Sequence, residues 1–392
     1  MTDQITEMVL EEDYPEIREA VRRICDDFPG EYWREMDAAS AYPEAFVKTL
    51  TESGWLAALI PETYGGSGLP LRAAAVILET IHASGGSAAA CHAQMYTMGT
   101  VLRHGSEEQK QAVLPQIASG ELRLQAFGVT EPASGTDTTA LRTRAVRQGD
   151  HYLVNGQKIW TSRALYSDLM LLLARTTARE DVSRPREGLS VFLIDLRELQ
   201  GNGVEIRPID TMINHNTTEV FFSDARIPAN TLIGEEGRGF RYILDGMNAE
   251  RTLIAGESLG DARYFLRRAT DYACEREIFG GPIGRNQGIQ FPLARAHAET
   301  EAAELMARKA AALFDAGRPC GAEANMAKLL CGDAAWHAAE ACMQTFGGFA
   351  FAREYDIERK WREARLYLTA PVSTNLILGF IGQHVMGLPK SY

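Results

Sequence analysis

The sequence lacks a long apolar run, a paired-cysteine motif and a surplus of positive charge. No segment approaches the roughly 18 successive apolar residues that a transmembrane helix needs, so we expect no membrane-spanning segment. No CxxC or other metal-like spacing links the cysteines, which favours buried thiols in a reducing compartment over a metal site. The cysteines are Cys25, Cys91, Cys274, Cys320, Cys331 and Cys342.

The charge balance excludes one class of partner. The formal net charge is −12, and nucleic-acid affinity depends on clustered lysine and arginine, so we expect no nucleic-acid partner. Residues 1–16 are acidic and contain no apolar run behind basic residues. We therefore expect neither a signal nor a transit peptide, and a cytoplasmic protein. With 45% hydrophobic and 23% charged residues, the composition is typical of a folded soluble protein.

The periodicity of the sequence changes twice along its 392 residues. Apolar residues recur at three- and four-residue steps from Leu10 to Ile24 and from Ala74 to Ile81, which predicts amphipathic helices. From Leu124 the period approaches two, and after Pro228 it becomes helical again. We predict an α+β protein with an amino-terminal helical domain (1–122), a middle antiparallel β-barrel domain (123–236) and a carboxyl-terminal four-helix bundle (237–392).

The middle segment is typical of seven or eight short strands. Val146–Val154, with Gly149 and Asp150 at its centre, predicts a hairpin, and Leu169–Ala174 and Leu189–Ile194 predict buried strands. The later helical patterns are Phe240–Glu275, Ile289–Ala316, Ala322–Phe346 and Thr374–Leu388.

A loop rich in small and hydroxyl residues follows the first predicted strand, in the stretch Gln125–Asp137 (QAFGVTEPASGTD). Pro132 disfavours a helical conformation at Glu131, so the strand ends in a turn. The small residues that follow let backbone N–H groups approach an oxyanion or a flat polar ring. An ordinary turn is an equally open interpretation of this loop alone.

A second stretch, Gly156–Ser162 (GQKIWTS), places an aromatic plane beside two hydroxyl groups. Trp160, with Thr161 and Ser162, would suit stacking on a ring system and hydrogen bonding to its edge. A tryptophan packed in the core is the alternative.

Together the two stretches closely resemble the flavin-binding segment of the acyl-CoA dehydrogenase family, and the resemblance extends from about Leu10 to Tyr392. It implies FAD, an acyl-CoA thioester substrate and a β-domain between two helical ones. It also implies cofactor-binding roles for residues of both stretches, with Thr136 shared between cofactor and substrate. These residues are Phe127, Val129, Thr130, Gly135, Thr136, Trp160 and Ser162.

Glu250 is the candidate base. Ile243, Met247, Glu250 and Ile254 recur at steps of three and four, which puts a carboxylate on the apolar face of a helix. Burial disfavours the charged form of a carboxylate and so raises its affinity for protons, which suits abstraction of a proton beside a thioester carbonyl. A structural acid neutralised by an arginine from another element is the alternative.

Pro371 bears on whether Glu250 is the base or a structural acid. Many members of the family carry the catalytic glutamate shortly after an R-[DE]-A-[KR] motif, which here is Arg362–Arg365, and Pro371 stands at the glutamate position. A smaller group, including isovaleryl-type and long-chain-type enzymes, supplies the base from the bundle helix in a context like Ala249-Glu250-Arg251. The resemblance therefore implies that this chain belongs to the subgroup without the carboxyl-terminal glutamate. In the family the backbone N–H at this position holds the thioester oxygen, and proline has no N–H. Either the Val372 N–H or a shifted loop substitutes, or the acyl group binds differently, or the reaction is not ordinary dehydrogenation.

Further residues enter only through the resemblance. Arg276 and Phe279, followed by Gln287, resemble the segment that reaches the FAD of a neighbouring subunit, and Gln344, Gly347 and Gly348 would approach its diphosphate; an ordinary helix end explains each alone. The family is usually a homotetramer, a dimer of dimers. Ser373 and Asn375 fall at flavin- or adenine-contacting positions. Substrate-side positions are Arg251, His92 and Tyr96.

The sequence thus predicts an FAD-dependent acyl-CoA dehydrogenase in which Glu250 removes an α-proton, giving a trans-2-enoyl-CoA and passing electrons to an electron-transferring flavoprotein or similar acceptor. An acyl-CoA oxidase or a flavin monooxygenase on the same fold is one alternative. A non-catalytic or DNA-associated flavoprotein is another, although the last residues, from Gly379 to Tyr392, carry only Lys390 as a full positive charge.

Overall fold

The computed structural model describes residues 13–390, so Leu10 of the first predicted helix lies outside the described residues. Contacts divide the chain into two compact units. We call the first the helical unit; it comprises residues up to Ala39, Pro70–Ala88 and the residues from Asn248 onward. The second, the sheet unit, comprises Ser40–Leu69 and Ala89–Met247. Within residues 13–390, no helix has both the length and the apolar character needed to cross a bilayer.

Six helices of the described residues precede the sheet. They are α1 (Pro15–Asp26), α2 (Gly30–Ala38), α3 (Glu44–Glu52), α4 (Leu71–Ala83), α5 (Ala89–His104) and α6 (Glu107–Ser119). At α6, Ser106 and Gln109 form a capping box, and Gly120, with φ of 84°, ends the helix in the left-handed conformation.

Seven strands follow, with a one-turn helix, α7 (Leu196–Leu199), among them. The strands are β1 (Leu124–Gly128), β2 (Arg144–Gln148), β3 (His151–Ser162), β4 (Leu169–Arg175), β5 (Leu189–Asp195), β6 (Val204–Pro208) and β7 (Thr217–Pro228). The predicted hairpin is confirmed, because β2 and β3 pair antiparallel from Gln148–His151 outward. The predicted buried strands are confirmed as β4 and β5.

The sheet differs from the prediction in its topology. Its order is β1-β4-β2-β3-β7-β6, with β5 also paired to β4. Because β4 pairs parallel with β1 and with β2, the prediction of a wholly antiparallel domain is wrong. No ladder between described strands joins β6 back to β1 or β5, so a closed barrel is not confirmed. Its hydrophobic core includes Tyr152, Phe192 and Val220.

Helices dominate again after the sheet. They are α8 (Gly239–Glu275), α9 (Gln287–Asp315), α10 (Gly321–Phe346), α11 (Ile357–Leu366) and α12 (Thr374–Phe380). Only α8–α10 are long, so the fourth long bundle helix predicted for Thr374–Leu388 is shorter than expected, and a π-turn follows it at Ile381–Val385. The boundary between the two units falls within α8.

Glycines let α4 and α8 approach closely within the helical unit. A Cβ on Gly256 would lie 2.7 Å from the carbonyl oxygen of Ala75, so no larger residue fits there without movement. Asp261, one turn beyond on α8, accepts from His82 Nδ1 at 2.9 Å and from the Tyr367 hydroxyl at 3.0 Å, and pairs with Lys360 Nζ at 2.6 Å. This buried group joins α4, α8 and α11.

Candidate active site

The two motif stretches are neighbours in the sheet unit. The N–H of Ile159 donates to the Thr130 carbonyl at 2.9 Å, which places the GQKIWTS strand beside the VTEP turn. Phe127 and Val129, two residues apart at the end of β1, share a face of the strand, and both are half-buried.

A buried ion pair fixes the turn from beneath. Lys158 Nζ lies 2.8 Å from Glu131 Oε1 and donates to the Val129 carbonyl at 3.0 Å, while Glu131 accepts from the N–H groups of Arg142 and Thr143. Burial lowers the pKa of Lys158 to about 8, with Glu131 opposing the shift. Burial acts to raise the pKa of Glu131, but the Lys158 charge and the hydrogen bonds from Lys158, Arg142 and Thr143 together outweigh it and hold that pKa below its usual value. The pair therefore sets the turn's shape.

The two motif stretches also present buried hydroxyls without hydrogen-bond partners and an exposed aromatic ring. Within residues 13–390, the buried Ser134 Oγ and Thr161 Oγ1 have no hydrogen-bond partner. Trp160 is 57% exposed, which excludes the core-tryptophan alternative. Its φ of 60° coincides with a register shift between β3 and β7 at Lys158–Thr161, so this irregularity in the strand accompanies the ring's exposure.

The loop leaves room for a ligand beside these groups. Gly135 and Thr136 are exposed, and a Cβ on Gly135 would meet no atom within 4 Å. Ser162 is half-buried. Buried hydroxyls without partners beside an exposed indole are suited to the edge and the face of a flat polar ring.

Aromatic rings extend from β1 to α5 in the same unit. The Tyr96 ring lies edge-on to Phe127, with centroids 5.8 Å apart, and stacks on His92 at 5.7 Å. The His215 ring follows at 6.5 Å from His92, and Arg163 Nη1 lies 3.5 Å from His215 Nε2. The structure therefore brings His92 and Tyr96 together with Phe127. Arg163 and His215 were not predicted, because they belong to no recognised motif in the sequence.

Glu250 lies in the helical unit and is 6% exposed, on α8 beside the equally buried Ile254. Its neighbour Arg251 donates from Nη1 to Asn248 Oδ1 at 3.1 Å, and the buried Arg251 Nε has no partner among the described residues. Burial lowers the pKa of Arg251, and the Glu250 charge opposes that shift. The two groups therefore interact by charge although they are adjacent on the helix.

The segment that carries Pro371 forms an arc, defined here as Tyr367–Val372, between α11 and α12. The buried Lys328 of α10 donates from Nζ to the carbonyls of Tyr367 and Val372, the latter at 2.7 Å. Burial lowers the pKa of Lys328 to about 8, Asp333 opposes this, and Arg251 adds to it. Lys328 was not predicted as a site residue. Its position among the apolar residues Ala324, Ala327 and Cys331 is the feature of the sequence that indicates a buried lysine.

Two predicted residues follow the arc. Ser373 is the N-cap of α12, and its hydroxyl accepts from the Leu376 N–H at 3.4 Å. Asn375 is exposed in the first turn of that helix. The Ser373 hydroxyl thus has a structural function in addition to the predicted contact with flavin or adenine.

The remaining predicted residues of the helical unit are exposed. Arg276, just after α8, lies near the segment that follows α10. The Arg276 guanidinium lies 5.6 Å from the ring of Phe349, which follows Gly347 and Gly348 at the end of α10. A Cβ on either glycine would meet no atom within 4 Å. Phe279 is 97% exposed, with φ of 53°. Gln287 and Gln344 are exposed as well.

Among the described residues, one cluster of side chains that could bind a metal ion occurs; it is formed by His82, Asp261 and Glu363. Lys360 Nζ lies 2.6 Å from Asp261 Oδ1 and 2.7 Å from Glu363 Oε2. The ammonium group occupies the centre of this group, so the cluster is an ion-pair network rather than a cation site.

Comparison with known proteins covers almost the whole chain. Three family profiles match it: the acyl-CoA dehydrogenase N-terminal domain over residues 11–121, the middle domain over 126–225 and the C-terminal domain over 237–385. The acyl-CoA dehydrogenase FadE12 of Mycobacterium tuberculosis is 31% identical over 100% of both chains.

Solved structures agree with these matches. The glutaryl-coenzyme A dehydrogenase in complex with glutaryl-CoA is 30% identical, with a TM-score of 0.90 over 97% of both chains. A chain from a study of the electron transferring flavoprotein of Acidaminococcus fermentans is 29% identical, with a TM-score of 0.90 over 96% of this chain and 99% of that one. The chain therefore belongs to the acyl-CoA dehydrogenase family and is an oxidoreductase of that family.

Proposed function

We propose that this enzyme catalyses FAD-dependent α,β-dehydrogenation of an acyl-CoA thioester to a trans-2-enoyl-CoA, with Glu250 as the base. The observation that carries the proposal is a buried carboxylate on α8, next to Arg251, in a chain with proline at the family's usual glutamate position. This combination supports membership of the subgroup whose base comes from the bundle helix.

The residues of the sheet unit fit FAD. Ser134 and Thr161 have buried hydroxyls without partners in the described chain, Trp160 offers an open ring face, and Gly135 leaves space for close approach. Phe127, Val129, Thr130, Thr136 and Ser162 complete the proposed contacts. Bound there, FAD supplies the acceptor for the hydride that leaves the β-carbon.

Glu250 performs the proton transfer. Its carboxylate takes the α-proton as the thioester carbonyl withdraws charge, and the buried setting keeps water from competing for that proton. Arg251, which interacts with Glu250 by charge, orients the carboxylate and offers its Nε–H to the substrate side. We propose that His92 and Tyr96 contact the acyl group.

The exposed residues of the helical unit support a proposed second cofactor contact. Arg276, Phe279 and Gln287, together with Gln344, Gly347 and Gly348, would bind the FAD of a neighbouring subunit, with Arg276 neutralising the diphosphate. Ser373 and Asn375 would contact flavin or adenine. This arrangement requires at least a dimer, and we propose a homotetramer built as a dimer of dimers.

We propose an electron-transferring flavoprotein as the acceptor. Support comes from the similarity to the chain from the Acidaminococcus study. An acyl-CoA oxidase would instead transfer its electrons to oxygen, so the rate at which air reoxidises the reduced flavin distinguishes the two. Slow reoxidation in air and fast reoxidation by the flavoprotein are the expected results.

Anaerobic bleaching of the bound flavin tests the reaction. A panel of short, branched, aromatic and long acyl-CoAs should contain at least one that bleaches wild-type flavin. Glu250→Gln removes the base and should slow bleaching by about 100-fold or more while FAD stays bound. Glu257→Gln, at another buried carboxylate of α8, is the matched control and should bleach at close to the wild-type rate. Undiminished bleaching by Glu250→Gln would eliminate it as the base.

A further inference from the structure

The arc Tyr367–Val372 is fixed at its two ends by the same side chain. Lys328 Nζ donates to the carbonyls of the first and the last residue of the arc, and both bonds join α10 to backbone 39 and 44 residues further along the chain. The hydroxyl of Tyr367 donates to Asp261 on α8, so the first residue is held at both its side chain and its carbonyl. A loop with these attachments has little freedom to change its backbone orientation.

Two backbone donors of the arc, the N–H groups of Leu368 and Val372, have no acceptor within the described residues. The N–H groups of Thr369 and Ala370 donate to the Leu366 carbonyl at 2.8 and 2.9 Å, and that of Thr374 donates to Leu368. Pro371 has no N–H. The N–H of Val372 donates to no acceptor within residues 13–390. Of these two donors, only the one on Val372 belongs to a residue whose carbonyl Lys328 holds, and it directly follows Pro371.

The charge of Arg251 acts both on Lys328 and on the proposed base, Glu250. Lys328 interacts by charge with Arg251, and Arg251 interacts by charge with Glu250. Removing a proton beside a thioester carbonyl builds negative charge on the carbonyl oxygen, and a preoriented N–H donor stabilises such charge.

We propose that Lys328 is a positioning residue for the reaction: by holding the carbonyls at both ends of the arc, it orients the Val372 N–H as a donor to the thioester oxygen. The inference rests on the proposed function. The thioester oxygen accepts this hydrogen bond while Glu250 takes the α-proton. Lys328 itself contacts neither substrate nor cofactor.

Steady-state kinetics of the FAD-loaded enzyme test this inference, with an acyl-CoA that bleaches the wild type. Lys328→Met removes both attachments and should lower kcat per bound flavin about tenfold or more, because small displacements of a positioning group are costly. KM should change less than about threefold, since a donor that acts mainly in the transition state leaves substrate binding nearly unchanged. Lys328→Arg restores a cationic donor and should recover at least half of the loss on a logarithmic scale.

Two controls separate positioning from general stability. Lys309→Met removes a half-exposed lysine whose ion pair with Glu323 spans 3.3 Å, and should leave kcat unchanged. Hydrogen exchange of the segment Leu366–Thr374 should be faster in Lys328→Met than in the wild type. If Lys328→Met does not yield folded protein, Lys328→Gln replaces it under the same criteria.

These experiments distinguish failure of the proposed role of Lys328 from failure of the proposed reaction. A fall of less than tenfold in kcat per bound flavin, or a loss confined to KM, would overturn the role of Lys328 even if the dehydrogenation is confirmed. A wild type that is bleached by no acyl-CoA would overturn the proposed function instead. In that case the exchange measurement alone still shows whether Lys328 orders the arc, but the catalytic inference is refuted.

Discussion

Two buried lysines hold loops of the proposed site, one in each unit, and they differ in how their charge is neutralised. Lys158 in the sheet unit holds the Val129 carbonyl and forms an ion pair with Glu131. Lys328 in the helical unit holds the carbonyls of Tyr367 and Val372 and contacts no carboxylate at ion-pair distance among the described residues. Burial lowers both pKa values to about 8. The comparison shows that a buried cation can shape a loop either through an ion pair or through peptide dipoles alone.

Removing Lys158 should have the larger effect on stability. Lys158→Met leaves the buried Glu131 charge unpaired, which typically costs about 3–5 kcal/mol, and it also frees the Val129 carbonyl. Lys328→Met frees two carbonyls, at about 1–3 kcal/mol each, but leaves no charge unpaired. Urea unfolding of both variants measures the difference. The double variant Glu131→Gln/Lys158→Met should recover part of the loss. A Lys158→Met protein within about 1 kcal/mol of the wild type would contradict the assigned importance of the ion pair.

The lowered pKa of Lys328 predicts a pH dependence of stability. Its pKa falls from 10.5 in the unfolded chain to about 8 in the fold, so the unfolded state binds more protons between these pH values. The free energy of unfolding contributed by this group therefore rises with pH across that window, by up to about 3 kcal/mol. Subtracting the stability curve of Lys328→Met from that of the wild type isolates the contribution. A difference curve that is flat from pH 8 to 10.5 would mean that Lys328 keeps an ordinary pKa.

The smallest expected effect concerns the exposed ring of Trp160. Trp160→Ala should weaken FAD binding about tenfold, equivalent to about 1.4 kcal/mol, because it removes a stacking surface. The free energy of unfolding of the FAD-free protein should barely change, since the ring is 57% exposed. Titration with FAD measures the affinity, and Val146→Ala, at an exposed position on β2, is the control. Equal affinity in the two variants would exclude Trp160 from the cofactor site.

Local patterns predicted much of the fold. The β2–β3 hairpin followed from Gly149-Asp150, and the buried carboxylate at Glu250 followed from the three- and four-residue spacing of its neighbours. The order of strands in the sheet could not be predicted in the same way. The parallel pairing of β4 with β1 joins Leu124 with Leu169, about 45 residues apart, and the alternation of apolar and polar residues within a strand does not indicate which strands pair.

The helix α11 and the role of Lys328 could not be predicted, because their contacts are with residues far away in the sequence or with backbone groups that every residue has. The helix α11 was missed because it is rich in charge; it is stabilised by long-range contacts such as the ion pair between Arg362 and Asp37 at 2.7 Å. Lys328 binds backbone carbonyls, and any residue supplies a carbonyl, so the sequence contains no sign of the partner.

Solvent exchange of the α-proton tests the central claim about Glu250 most directly. An acyl-CoA analogue with sulfur in place of the β-carbon cannot lose a β-hydride, so any exchange in heavy water reports proton abstraction alone. The wild type and Glu257→Gln should exchange the α-protons of the bound analogue, and Glu250→Gln should exchange them at least about 100-fold more slowly. Exchange by Glu250→Gln at the wild-type rate would contradict the assignment of the base.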